Sequence, residues 1–120
     1  LAWNDALEAG IPPEYFVRQI NQESGFNPDA RGAAGEVGIA QFMPSTASGL
    51  GINPYDPVAS LQGAARLMGN YYQAYGDYAK ALAAYNAGSG TLQRVVDRCG
   101  WSWQSCLPAI TQNYINVIMR

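Results

Sequence analysis

Histidine is missing from the 120 residues, and cysteine occurs only twice. Without histidine, serine and cysteine nucleophiles lose their usual base, and two cysteines alone do not complete a conventional zinc site. No metal and no cofactor are therefore expected. Charge is scarce too, with seven basic and nine acidic residues. Arg18, Arg31, Arg66, Lys80, Arg94, Arg98 and Arg120 are spread along the chain, so no basic stripe exists to track phosphates and nucleic acid is not an expected partner. No apolar run reaches the roughly 18 residues of a membrane span, and no charged-then-apolar leader is present. Carboxylate chemistry is what these absences leave. The chain starts at Leu1 without methionine, so residues 1–120 read as one domain excised from a longer protein.

What is present is helical. About half of the residues are apolar, enough for a single core. Residues 2–9 read as a first short helix, and Ile11 stands ready to staple the next one ahead of Pro12 and Pro13. Asp56 as N-cap and Pro57 as first helical residue open a helix of about five turns. Its apolar stripe is Val58, Leu61, Ala65, Met68, Tyr72 and Tyr75. Asp77 caps another, with Tyr78, Ala81, Leu82 and Tyr85 on one face and Gly88 as its stop. Residues 91–98 and 108–120 make two more, the last with Ile110, Tyr114, Val117 and Ile118 inward. No stretch alternates with period two for long enough to demand a sheet. The expected fold class is mainly α.

The segment 13–24 carries the most informative residue. Proline opens it and Gly25 closes it. At about 100° per residue, Glu23 falls within roughly 60° of the stripe formed by Phe16 and Ile20. A carboxyl facing an apolar wall has its charged form disfavoured and holds a proton nearer neutral pH, which is what a general acid requires. The alternative is a helix-end glutamate turned out to solvent. Between Gly25 and Pro44 lies a glycine-rich stretch in which Gly32, Gly35 and Gly38 let backbone pass close to a neighbour. It continues into Gln41, Phe42 and Met43 before a proline-started helix. An amide beside flat apolar side chains suits a groove for a neutral polymer.

Cys99 and Cys106 enclose a loop bearing Trp101 and Trp103. A disulfide here is preferred over two reduced thiols, and it points to an oxidising place such as periplasm, cell exterior or virion. The spacing is not that of a redox motif.

Three strings occur in order: Glu23-Ser24-Gly25-Phe26-Asn27-Pro28, then Gly38-Ile39-Ala40-Gln41-Phe42-Met43-Pro44 after Gly35, then Ala84-Tyr85-Asn86-Ala87-Gly88. A tyrosine follows in Thr111-Gln112-Asn113-Tyr114-Ile115. Together they resemble the soluble lytic transglycosylase family through most of the chain. The resemblance implies a lysozyme-like helical domain with a substrate groove that cleaves the β-1,4 bond between N-acetylmuramic acid and N-acetylglucosamine in peptidoglycan. It matches Glu23 to the family's single catalytic acid. It places Ser24 directly after the acid, where it caps or orients the turn, Gln41 and Met43 in the groove, and Tyr85 and Asn86 near the acid, and it counts all of these with Tyr114 as substrate-binding. Both tyrosines also lie on apolar helix faces, where a core role is the ordinary alternative.

The resemblance also implies a mechanism that needs no second carboxylate. The substrate's 2-acetamido oxygen stabilises the developing cation, and the sugar's own 6-hydroxyl closes on the anomeric carbon to leave a 1,6-anhydro end. This chain departs from the family in four places. Gly32 stands where many members have serine, Glu36 where a small residue is usual, Ala40 where methionine is common, and Ile110 where many have glutamate. The competing readings are a goose-type lysozyme-like hydrolase, a non-catalytic wall-binding module, and a structural segment of a larger cell-envelope or phage tail assembly.

Overall fold

The computed structural model describes residues 1–120 and contains seven α-helices, one 3₁₀ segment and no strand. The chain divides into two compact units, Leu1–Gly69 and Asn70–Arg120. No helix is long and apolar enough to cross a membrane.

The first unit begins with α1 (Ala2–Ala9) and α2 (Pro13–Ser24). Pro13 suits the first position of α2 because its missing N–H has no intrahelical acceptor there. Ala2, Ala6, Ile11, Phe16 and Ile20 are all buried and α1 packs on α2, with Ile11 at the position before the N-cap where a staple residue belongs. A loop of residues 25–43 leads to the short α3 (Pro44–Leu50). It holds two isolated bridges, Arg31 with Val37 and Val37 with Phe42. Val37, Ile39, Ala40 and Phe42 are buried, which anchors the loop from beneath. The helix α4 (Pro57–Tyr75) starts as expected, with the Asp56 carboxylate accepting from the N–H groups of Val58 at 3.1 Å and Ala59 at 3.2 Å. Leu61, Ala65 and Met68 face the core, whereas Val58 is exposed. The division between units falls inside α4.

In the second unit, α5 (Tyr78–Ala87) is capped by Asp77, whose Oδ1 accepts from Ala79 N–H at 2.8 Å and Lys80 N–H at 3.3 Å. The helix α6 covers Ser89–Cys99 and α7 covers Ala109–Met119, against the expected 91–98 and 108–120. Between them the expected loop is a 3₁₀ helix, Gly100–Cys106, the compact form that short connectors take. A disulfide joins Cys99 to Cys106. Inside the stapled segment Trp103 is buried, with the Lys80 ammonium 5.6 Å from its ring centre, while Trp101 is exposed.

The expected inward stripe of α7 needs correction. Ile110 is 75% exposed, and the buried positions are Thr111, Tyr114, Ile115 and Ile118. Thr111 replaces Ile110 on the inner face because its hydroxyl finds a partner there, donating to Asn86 Oδ1 at 2.8 Å.

Candidate active site

The helix α2 delivers Glu23 in its last turn, one turn beyond Gln19 and beside the fully buried Phe16 and Ile20. Glu23 itself is half-buried. Its neighbour Ser24 sets the surroundings, since the Ser24 hydroxyl donates to the Ile39 carbonyl at 2.6 Å. That bond ties the end of α2 to the glycine-rich loop across 15 residues of sequence. The reading of Ser24 as a residue that orients the turn has this contact as its physical content.

The loop closes on itself through Gly38. Gly38 N–H donates to Ala30 O at 2.8 Å, and Gly32 N–H donates to Glu36 O at 2.8 Å. Gly38 holds a φ of 86°, and a Cβ there would overlap the Pro54 carbonyl oxygen. This is the close backbone approach that the glycine pattern suggests, with Pro54 as the neighbour. Gln41 is left-handed as well, at φ 54°. Its Nε2 donates to Gly38 O at 2.8 Å and to Ala30 O at 3.2 Å.

That geometry changes the expected part for Gln41. Both amide protons are used inside the protein, so Gln41 fastens the loop, and only its Oε1 is left to meet a substrate donor. Met43 stands at the N-cap of α3, 40% exposed. Its Cε comes within 4.0 Å of where a Cβ on Gly35 would lie. Met43 thus offers thioether surface next to the loop.

Two of the departures from the family pattern form one structural unit. A Cβ on residue 32 would lie 2.6 Å from the Glu36 carboxyl carbon. The Glu36 Oε1 accepts from Ala34 N–H at 2.8 Å, which holds the carboxylate folded over Gly32. A bulkier residue at 32 and this placement of Glu36 exclude each other.

In the second unit, Tyr85 and Asn86 close α5, and Tyr114 lies on α7 three residues after Thr111. The Thr111–Asn86 hydrogen bond ties the two helices and occupies the Asn86 oxygen, so its amide nitrogen is the part of this exposed side chain that remains available. Tyr114 is buried and Tyr85 half-buried.

Gln19 went unnoticed in the sequence. Its carboxamide is fully buried, and neither Nε2 nor Oε1 has a hydrogen-bond partner. Its signal was legible, because a glutamine between Phe16 and Ile20 on an inward-facing helix surface breaks the apolar pattern. Nowhere do three or more histidine, cysteine, aspartate or glutamate side chains converge.

Glu23 is thus a half-buried carboxyl at the end of α2, next to a serine whose hydroxyl is bonded to the glycine-rich loop. The chain belongs to the transglycosylase SLT domain family, which it matches over residues 2–105. It is 36% identical over 95 residues to a transglycosylase of Enterobacteria phage PRD1, a match covering 74% of this chain and 36% of that protein. It is 30% identical over 119 residues to the membrane-bound lytic murein transglycosylase D of Escherichia coli K12, covering 88% of this chain and 26% of the relative. The chain thus spans only about a third and a quarter of these proteins. Among solved structures, the inactive variant of the lytic transglycosylase Slt from Pseudomonas aeruginosa superposes with a TM-score of 0.84 at 24% identity, over 98% of this chain and 22% of that one. The fold is that of the lytic transglycosylases.

Proposed function

We propose that this chain is a peptidoglycan lytic transglycosylase domain and that Glu23 is its only acid–base catalyst. The observation that carries the reading is the placement of Glu23, in the last turn of α2 beside buried apolar residues and next to a serine fixed to the loop. The family's mechanism then applies directly. The Glu23 carboxyl donates its proton to the glycosidic oxygen as the bond to the anomeric carbon breaks. The substrate's 2-acetamido oxygen stabilises the positive charge left on that carbon. The Glu23 carboxylate next removes the proton of the 6-hydroxyl, and that oxygen bonds to the anomeric carbon. One carboxyl acts first as acid and then as base, so no water is consumed.

Contacts to the glycan strand are assigned to Gln41 Oε1 and Met43 in the first unit and to Tyr85, the Asn86 amide nitrogen and Tyr114 in the second. Ser24 is a positioning residue. Peptidoglycan lies outside the cytoplasm, and the Cys99–Cys106 disulfide agrees with work in the periplasm, at the cell exterior or in a virion. The similarity to a phage transglycosylase supports a setting within a phage particle or another wall-penetrating assembly.

Two measurements test this. Glu23→Gln keeps shape and hydrogen bonding but has no proton to give, and general acid catalysis is worth about 10² to 10⁴-fold. Clearance of cell-wall suspensions should fall by at least that lower factor, and activity within tenfold of wild type refutes the role. Mass spectrometry of the products decides the chemistry. Anhydro ends weigh about 18 Da less than hydrolysis products and resist borohydride. Reducing ends in the majority would instead establish a lysozyme-like hydrolase, with Glu36 or Asp29 the first candidates for a water-activating base.

A further inference from the structure

Two residues other than glycine hold a positive φ, Gln41 at 54° and Phe26 at 62°. For Gln41 the return is visible in the two hydrogen bonds that its side chain makes within the loop. Phe26 is different. It follows Gly25, itself left-handed at φ 62°, so the chain takes two successive left-handed steps directly after the end of α2. Left-handed backbone is unfavourable for an L residue and an outlier for a bulky one. Glycine or asparagine would take the conformation readily, and the chain places a phenyl ring there instead.

The turn is pinned on its far side. Asn27 N–H donates to Ser24 O at 3.2 Å, Asp29 N–H donates to Asn27 Oδ1 at 2.9 Å, and Ala30 N–H donates to Asn27 O at 3.2 Å. Core packing does not explain the ring either, since Phe26 is 38% exposed while Phe16 and Ile20 already fill the inner side of α2. A left-handed backbone and a partly exposed aromatic ring thus coincide three residues after Glu23. Strain of this kind gathers where a ligand is gripped. The flat apolar face of a pyranose ring, lined with C–H groups, is what an exposed phenyl surface in a polar groove complements.

We propose that Phe26 is a substrate-contact residue, its ring stacking on a sugar of the glycan strand at the site of Glu23. This rests on the glycan-cleaving reading above. The pinned turn holds the backbone that carries the ring, so less freedom is lost when a sugar arrives. The competing role, an apolar plug for the loop, is separable because leucine would fill it and tyrosine would preserve the flat face.

The test measures retention by purified peptidoglycan sacculi in co-sedimentation, in a Glu23→Gln background that holds the strand without cutting it. Phe26→Leu should weaken binding about tenfold, whereas Phe26→Tyr should stay within about twofold. With Glu23 restored, the leucine variant should show its loss in KM more than in kcat. Equal retention of phenylalanine and leucine overturns the proposal, as does equal loss by leucine and tyrosine. Failure of the enzymatic reading shows separately, as a wild-type chain that binds sacculi through the ring and releases no fragments.

Discussion

Gly38→Ala is the substitution for which the geometry predicts the largest effect from a single methyl group. Two costs add. Left-handed backbone at φ 86° disfavours alanine by about 1 to 2 kcal/mol. The new Cβ overlaps the Pro54 carbonyl oxygen, and relieving a backbone clash in a packed site costs about 1 to 3 kcal/mol more. The sum, about 2 to 5 kcal/mol, is a large share of the 5 to 15 kcal/mol typical of a domain. Gly51→Ala is the control, because its φ of 72° is similar and nothing lies within 4 Å of its Cβ position. It should lose only the backbone share of about 1 to 2 kcal/mol. Urea unfolding followed by far-ultraviolet circular dichroism measures both. The Gly38 variant should unfold about 1 to 3 M earlier than wild type with an unchanged slope. Equal losses in the two variants would show that Pro54 moves aside freely and that the loop is not held as described.

Two further outcomes are expected. Replacing Cys99 and Cys106 with serine opens a short ring, and the chain-entropy estimate for such a loop is about 2 to 3 kcal/mol; thermal unfolding with and without reductant checks it, and titration of the unreduced, denatured wild type should find no free thiol. Burial, and next the neighbouring Tyr72, hold the Tyr78 phenol well above its ordinary value. The folded state therefore keeps a proton that the unfolded chain releases, so stability should fall as pH rises above about 10, and Tyr78→Phe should flatten that slope.

Local chemistry was the legible part of this sequence. The Asp56 and Asp77 caps and the Pro13 start depend on residues within one turn of each other, and pattern reading finds them. Contacts decided across the chain were not legible. Ile110 and Thr111 are neighbours, and apolarity favours the wrong one for the core unless the Asn86 oxygen 25 residues away is known. The direction of the Gln41 amide depends on a left-handed backbone and on carbonyls at positions 30 and 38. Glu23 could be singled out because its helix and its motif are both local. The carboxylate of Glu36 folded over Gly32 was not, since two departures seen singly gave no sign that each makes room for the other.

The Ser24–Ile39 bond also bears on how such a domain can change over evolutionary time. It makes a non-covalent clasp between two segments 15 residues apart. Lengthening a clasped segment is cheap, about 0.6 kcal/mol for each doubling, and Ala33 and Ala34 at its tip are exposed. New residues inserted there would change the surface of the tip while Ser24 and Ile39 keep their places. The clasp separates what must stay constant from what is free to diversify.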